Sequence, residues 1–471
     1  MKDSGVPWLG EVPEHWEVRR IRNVAEMRVS NVDKHTKDDE LPVRLCNYVD
    51  VYKNDRIRVR MSFMRATATS DEIERFRLMS GDVLITKDSE AWNDIGVPAL
   101  VEEAADDLIC GYHLALLRPF HDRLYGDYLF RALQSTSLSY QFHVEANGVT
   151  RYGLSHAAIK AIWLPLPPLK EQADIVRVLD HADRRIGRYI RAKQTLIKLL
   201  EEQKQAIIHR AVTRGLNPNV RLKPSGVEWL GDVPEHWEVE RLGRIAMVFN
   251  GTTPSRMEPA YWLGGTIPWL SSGKVNDYVV ETPSELVTER ALRECSMSIV
   301  PKGAVIIGLV GQGKTRAKAA ILGINTCINQ NLAAIISLNG LTGTYLHHFL
   351  TGFYKTLREF GRGGNQEALN CEIVVNWRVS VPPGDEQRII CNYLGGALAG
   401  LRKAEQRMGQ EISLLREYRT RLIADVVTGK LDVREAAARL LDEAEDETEV
   451  LSDAEEGTAQ DLDTAVEQAD A

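Results

Sequence analysis

The stretch "SGVPWLGEVPEHWEVRRI" at residues 4–21 returns as "SGVEWLGDVPEHWEVERL" at residues 225–242, with 14 of 18 positions identical. Identity this high between two parts of one chain does not arise by chance and indicates an internal duplication. We call these stretches the first and second copies of the repeated segment. The sequence therefore predicts two related halves, each opened by one copy.

A second pair of matching blocks begins with "PPLKEQADI" at Pro167 and "PPGDEQRII" at Pro382. Apolar residues in both blocks step by three and four or by seven, which predicts two long helices, each packing its seam against another helix, most simply its twin. The stripe in the first block also runs through Tyr189 and Leu196. The predicted seam positions are Ile175, Leu179, Ile186, Leu200 and Ile207 in the first helix and Leu394, Leu401, Met408, Leu415 and Leu422 in the second.

Between the repeated blocks lie two segments, about 22–162 and 243–376, that resemble each other only faintly. Both contain short β-like runs, such as "GDVLIT" at 81 and "GAVIIG" at 303. Shared connectors around divergent inserts indicate one scaffold with two different recognition surfaces, an α+β fold with a pseudo-two-fold repeat. The predicted divisions are residues 1–162 (first segment and insert), 163–216 (first helix), 217–376 (second segment and insert), 377–432 (second helix) and 433–471 (acidic, disordered tail).

Charge is unevenly distributed along the chain. The net charge is −8, but residues 442–471 contain 13 Asp and Glu and no Lys or Arg, so the remaining body carries 58 basic and 53 acidic residues. A body of net +5 is compatible with nucleic-acid binding, and the like-charged tail is expected to stay disordered. No 18-residue apolar run or signal pattern occurs, which predicts a cytoplasmic protein with no membrane contact. Six scattered cysteines without a C-x-x-C pair predict no metal site.

The stretch "GLVGQGKT" at residues 308–315 fits the phosphate-binding P-loop pattern G-x-x-x-x-G-K-[ST]. A strand precedes it, but Gly323 interrupts the helix that should follow, and the downstream strand ends in Asn339 rather than in a magnesium-binding Asp. We therefore favour a glycine-rich turn between strands. A P-loop NTPase with a coiled-coil arm remains as an alternative, and a protein-binding scaffold as another.

The resemblance of this chain to a known family is carried by the repeated segments, the "PPLKEQADI" and "PPGDEQRII" openings, "GDVLIT", "IPWLSSGKV" (267–275) and "CINQNLAAI" (327–335). Together they resemble the specificity subunit of a Type I restriction-modification system over nearly the whole chain. The resemblance implies two target-recognition domains that read a gapped, two-part double-stranded DNA sequence. It also implies an antiparallel coiled coil that sets the gap and docks two methyltransferase (modification) subunits, which methylate adenine. Restriction (motor) subunits would add ATP-dependent cleavage. No catalytic residues are expected in this chain, and S-adenosylmethionine, ATP and magnesium would belong to the partners.

Base reading uses Arg or Lys toward guanine, Asn or Gln toward adenine and acids toward cytosine, while cations and hydroxyls contact phosphates. Loop residues of these types are the candidates for DNA contact. In the first insert they are Lys87, Asp88, Ser89, Asn93, Arg151 and Tyr152. In the second they are Ser271, Ser272, Lys274, Gln312, Lys314, Thr315, Arg316, Lys318, Arg362, Asn365 and Gln366.

Two further groups are expected to be structural. His113 lies where the second insert has Asn331, and we expect it mainly to hydrogen-bond within the fold. The tryptophan pairs Trp8/Trp229 and Trp16/Trp237 are expected to anchor the repeated segments to the long helices.

Overall fold

The structure, a computed structural model, describes residues 1–32, 34–311, 313, 315–361 and 368–443. The described chain divides into two compact units, residues 1–193 with 410–443 (unit 1) and residues 194–409 (unit 2). Two long helices, Leu169–Arg214 and Gly384–Val427, each contribute to both units. No helix within the described ranges has the length and apolarity needed to cross a bilayer.

Unit 1 is built on a five-stranded sheet. The strand order is Ala25–Val29, Leu114–Pro119, Val83–Thr86, Pro98–Val101 and Arg56–Ile57. Its neighbours are antiparallel except for the last pair, which is parallel. A three-stranded sheet has the order Leu108–Cys110, Leu41–Cys46 and Met64–Ala68. The short helices are Tyr48–Lys53, Ser70–Phe76, Gly126–Leu133, Thr136–Glu145 and His156–Ala161.

Unit 2 repeats this five-stranded topology strand for strand. The order is Ala246–Asn250, Leu332–Ser337, Val305–Gly308, Ala319–Leu322 and Val279–Val280, again with only the last pair parallel. Its three-stranded sheet has the order Glu285–Val287, Ile267–Leu270 and Cys327–Ile328. The short α-helices are Leu242–Ile245, Glu289–Glu294, Gly343–Gly352, Tyr354–Glu359 and Cys371–Asn376. The α+β class and the internal repeat predicted from the sequence are confirmed.

Both central sheets are buried on two faces. In unit 1, Val83 and Ile85 face a core that includes the long helices, while Leu84 faces the core shared with the three-stranded sheet. In unit 2, Val305 and Ile306 divide between two such cores in the same way. Because side chains alternate across a strand, burial on both faces requires the continuous apolar runs that mark these strands in the sequence.

The long helices pair in antiparallel fashion. Along the first helix, Asp183 pairs with Arg419 and Lys193 with Glu411 in unit 1. In unit 2, Lys204 Nζ lies 2.8 Å from Glu405 Oε2. As the residue number rises along the first helix, the number of its partner on the second helix falls, as an antiparallel pair requires. Of the predicted seam residues, Ile175, Leu179, Ile186 and Leu394 are buried, and Leu200, Ile207, Leu401, Met408, Leu415 and Leu422 are half-buried.

The predicted stripe through Tyr189 and Leu196 is wrong, because these side chains are 53% and 46% exposed. Lys193 and Lys204 occupy the facing positions, where their ammonium groups pair with glutamates of the other helix. The adjacent residues Ile190 and Ile197 are half-buried, so the predicted stripe was displaced by one residue at both points.

In unit 1 the repeated segment is bonded to the first long helix. Trp16 is 3% exposed, and its indole Nε1 donates to Glu171 Oε2 at 2.8 Å. His15 Nε2 lies 2.7 Å from the other oxygen of this carboxylate. The adjacent Gln172 donates to the carbonyls of Arg123 and Pro167 and accepts from the Tyr125 N–H. These bonds fix the insert to the first turn of the helix.

Unit 2 repeats this clamp. Trp237 Nε1 donates to Glu386 at 3.0 Å, and His236 lies 2.7 Å from the same carboxylate. Gln387 again binds the carbonyl of the first proline of its block, Pro382. The anchoring role predicted for Trp16 and Trp237 is confirmed. Trp8 and Trp229 were also predicted to anchor to the long helices. Their rings stack instead on aromatic residues outside those helices, Trp8 on Tyr140 and Trp229 on Trp377.

The units differ in a second contact with the helices. In unit 1, the nearly buried Arg131 guanidinium binds Asp180 and Asp183 of the first long helix. The topologically equivalent helix of unit 2 places His347 and His348 at this level. Burial lowers the pKa of His347 to about 4 and that of His348 to about 3, so both rings are neutral at pH 7. The hydrogen-bond partners of these rings, the Ala319 carbonyl and the Tyr278 hydroxyl, lie within the insert, so the ion pairs that Arg131 makes with the helix have no counterpart at these two histidines.

The P-loop alternative is wrong, because "GLVGQGKT" lies in a β-hairpin. Strand Val305–Gly308 is followed by Ala319–Leu322, which pairs with it in antiparallel fashion, whereas a P-loop must lead into a helix. The Thr315 hydroxyl donates to the Val310 carbonyl at 2.7 Å. Gly311 has a φ of 110°, so it serves the tight turn. Two residues of the motif, Gln312 and Lys314, lie outside the described residues.

The ordered chain extends further than the sequence indicated. Arg434–Glu443 is a helix, and Val433 and Ala437 are buried in unit 1. The predicted disordered tail therefore cannot begin at residue 433, because Val433 and Ala437 pack in the interior of unit 1. Residues 444–471, on which the prediction of disorder depends, lie outside the described residues.

We expect Glu171→Ala to lower the free energy of unfolding by about 1–3 kcal/mol, because it leaves the buried Trp16 N–H without its acceptor. Urea denaturation followed by tryptophan fluorescence measures this. The control is Glu202→Ala, at an exposed site of the same helix. Equal midpoints for the two variants would contradict the clamp.

Candidate nucleic-acid interface

Several predicted contact residues of unit 1 meet at one edge of the central sheet. Strands Val83–Thr86 and Leu114–Pro119 pair up to this edge, where the Lys87 N–H donates to the His113 carbonyl at 3.1 Å. Asp88 and Ser89 continue as a short strand beside Tyr152–Gly153. The hairpin that ends in Tyr152–Gly153 carries Arg151, which is exposed. The structure thus joins two sequence regions that are more than 60 residues apart.

Asp88 is the electrostatic centre of this edge. One of its oxygens accepts from Lys87 Nζ at 2.7 Å and contacts His113 Nδ1 at 2.8 Å. Partial burial acts to raise the pKa of Asp88, but hydrogen bonds from Lys87 and His113 outweigh it and hold the pKa below its usual range. Asp88 is therefore ionised at pH 7 and engaged with its two neighbours.

Aromatic side chains that the sequence analysis missed border this edge. The Tyr112 ring centroid lies 5.0 Å from Lys87 Nζ. Tyr48 and Tyr52 stack with centroids 5.4 Å apart, and the Tyr52 hydroxyl donates to Asp94 at 2.6 Å. That hydrogen bond raises the pKa of Tyr52 to about 12. Strand Leu41–Cys46, which leads to the helix Tyr48–Lys53, runs parallel to strand Leu108–Cys110, which leads to Tyr112. Both strands therefore end on the same side of their sheet. Sequence spacing alone could not reveal this pairing.

Unit 2 places polar loops at the equivalent edge. Gly308 pairs with Leu332, and the Leu309 N–H donates to the Asn331 carbonyl at 2.9 Å. Lys318 Nζ donates to Asn276 Oδ1 at 2.9 Å, which joins the 309–318 turn to the segment of Ser271, Ser272 and Lys274.

Four polar residues at this edge, Thr253, Asn276, Gln330 and Asn331, were not among the predicted DNA contacts. Gln330 is exposed and hydrogen-bonds to Thr253, while Asn276 is exposed and Asn331 half-buried. They come from three separate loops that only the sheet topology brings together. The sequence signal for two of them was the "NQN" turn at 329–331, which precedes a buried strand.

The remaining predicted residues differ in accessibility. Asn93 is exposed, but Arg316 and Ser89 are only 6% and 7% exposed. Lys274 Nζ is engaged with Asp277 and Thr282, both at 3.1 Å. Five candidates, Gln312, Lys314, Arg362, Asn365 and Gln366, lie outside the described residues.

The chemistry of both edges is that of hydrogen-bond readout. Cations, amides, hydroxyls and tyrosines border the ends of buried strands. In protein–DNA complexes, these are the groups that contact phosphates and base edges. Among the residues that the structure describes, no three His, Cys, Asp or Glu side chains are grouped to hold a metal ion. The fold and the polar groups at its two equivalent edges are those of a protein suited to DNA recognition.

Comparisons with known proteins give the class its name. The family model for the Type I restriction modification DNA specificity domain matches residues 13–198 and 234–403. This chain belongs to that family, and sequence recognition of DNA for a Type I restriction-modification system is its function. The family is the non-catalytic recognition component of such systems.

Individual relatives are similar over much of their length. The type I restriction enzyme MjaX specificity subunit of Methanocaldococcus jannaschii is 24% identical over 434 residues, 90% of this chain and 96% of that protein. The EcoR124I/EcoR124II specificity subunit of Escherichia coli is 23% identical over 252 residues, 52% of this chain and 57% of that protein. A solved chain from a study of complex assembly in a type I R-M system matches with a TM-score of 0.66 at 18% identity. It covers 89% of this chain and 100% of that one, and shares its fold.

We expect Arg151→Ala to relax preference in one part of the recognised sequence by about 1–3 kcal/mol and to leave the other part unchanged. The exposed guanidinium of Arg151 at the unit 1 edge suits a guanine contact. Competition binding with single-base substitutions in each part measures this. Equal weakening of both parts would make Arg151 a phosphate contact or a fold determinant, and Lys160→Ala, at an exposed helical site, is the control.

Proposed function

We propose that the chain reads a gapped DNA sequence in two parts, one with each unit, and directs adenine methylation by methyltransferase partners. One observation carries the proposal: two sheets of identical topology present different polar side chains at the same edge. Lys87, Asp88 and His113 stand at this edge in unit 1, and Asn331 and Lys318 in unit 2. Different donors and acceptors on one framework select different sequences.

The long helices offer surfaces for protein partners. Unit 1 exposes Leu414 at 62%, Tyr418 at 58% and Tyr189 at 53% of their side chains. Unit 2 exposes Leu199 and Ile389, each at 53%. Large apolar side chains exposed on the helices support protein binding, because burying them in an interface is favourable. We assign these surfaces to methyltransferase subunits, with restriction subunits joining the complex for ATP-dependent cleavage. S-adenosylmethionine, ATP and magnesium would be bound by those partners.

A genome-wide map of methylated adenines, in cells with and without this chain and with the methyltransferase partner present, tests the function. We expect one gapped, two-part motif to disappear when the chain is removed. An unchanged map, with the methyltransferase expressed and active, would contradict the proposal.

Lengthening both long helices should change the gap but neither part of the sequence. We expect one heptad inserted after Lys198 and a matching heptad after Gln406 to shift the gap while both parts persist, because the paired helices set the spacing. Methylation mapping reads the gap directly. An unchanged gap in a complex that still methylates would reject the helices as a ruler.

Leu414→Glu should weaken association with the methyltransferase at least tenfold, because it places a charge in the proposed apolar contact. The control Gln410→Glu adds the same charge at an exposed polar site one turn away. Association is measured by titration of the purified subunits. Similar affinities for both variants would exclude this surface from the interface.

A further inference from the structure

His113 and Asn331 occupy the same point of the two units. In unit 1, Leu114 pairs with Thr86, and the next N–H, that of Lys87, donates to the carbonyl of His113. In unit 2, Leu332 pairs with Gly308, and the next N–H, that of Leu309, donates to the carbonyl of Asn331. The backbone is therefore equivalent at the two positions, and only the side chain differs.

The chemistry of this position suits base recognition in both units. Asparagine is a side chain that hydrogen-bonds adenine in the major groove. The His113 side chain is 41% exposed, so a ligand can reach it. The sequence favoured a mainly structural role for this residue and left a DNA contact as the alternative, and a structural hydrogen bond uses only one ring nitrogen.

The contact with Asp88 fixes which nitrogen carries the proton. An ionised carboxylate can only accept, so His113 Nδ1, 2.8 Å from Asp88 Oδ2, must be the donor. In the neutral ring, Nε2 is then a hydrogen-bond acceptor on a side chain that is partly exposed. Within the described residues, no hydrogen bond occupies Nε2. Lys87 binds the same Asp88 oxygen at 2.7 Å and holds the carboxylate in place.

We propose that His113 determines specificity in the DNA sequence read by unit 1, with its Nε2 accepting a hydrogen bond from an exocyclic amino group, adenine N6 or cytosine N4. Asp88 is a positioning residue that sets the tautomer and orientation of the ring, and does not itself read cytosine. The inference rests on the proposed function, and deepens it by naming the residue, the atom and the chemistry of the base group.

The test is methylation mapping with the complete complex. His113→Ala should reduce discrimination at one base of one part of the motif by roughly 5- to 100-fold, leaving the other part intact. His113→Lys offers only donors and should shift that base toward guanine. His121→Gln and His113→Gln form a matched pair: His121 lies beyond the far end of strand Leu114–Pro119, and only the His113 variant should alter the motif.

Asp88 is tested by rescue. Asp88→Ala should relax the same base as His113→Ala, and Asp88→Asn, which keeps an acceptor oxygen, should restore part of the preference. A merely structural role for Asp88 would weaken every base of that part equally.

The outcomes separate the two proposals. A wild-type chain that directs no two-part motif would reject the proposed function. A wild-type motif left unchanged by His113→Ala and His113→Lys would overturn the inference about His113 alone. Loss of the whole motif in every His113 variant would mark the residue as a fold determinant, and would overturn the inference as well.

Discussion

The indole N–H groups of Trp16 and Trp237 each need an acceptor, because both side chains are almost completely buried. Glu171 and Glu386, on the first turns of the two long helices, supply it. Each bond joins a repeated segment to a helix start. Everything else depends on this joint, since the inserts can vary freely only while their attachment to the helices stays constant. The strongest identity in the chain accordingly lies in the attachment rather than in the inserts.

The candidate DNA contacts lie beyond the ends of the central strands, where residues are not needed for packing. The central strands are buried on both faces and must stay apolar, so the two sheets share a topology with little sequence in common. Beyond the strand ends, side chains meet solvent and no packing requirement applies. Asp88 with Lys87 and His113 stands there in one unit, and Asn331 in the other. In the proposed function, a fixed framework with variable edges would allow one protein to recognise two unrelated stretches of DNA.

The sequence revealed the internal repeat and the long helices, because duplication and heptad spacing can be recognised from the order of residues alone. It placed both long helices and the anchoring role of Trp16 and Trp237, but it assigned Tyr189 to the seam, whereas the adjacent Ile190 is the half-buried residue. It could not identify Tyr48 or Gln330, whose importance depends on strand pairing between distant parts of the chain. It also favoured the correct interpretation of "GLVGQGKT", a turn between two strands, because Gly323 interrupts any helix that would follow the motif.

The central claim is that each insert reads its own DNA sequence on an equivalent framework. We would therefore replace residues 246–377 with a second copy of residues 25–162. The changes Gly395→Asp and Leu398→Asp would supply the acids that Arg131 contacts in unit 1. Methylation mapping of this chimera, bound to its methyltransferase, should give a motif whose two parts are both the sequence read by unit 1. Persistence of the sequence read by unit 2 would contradict the account.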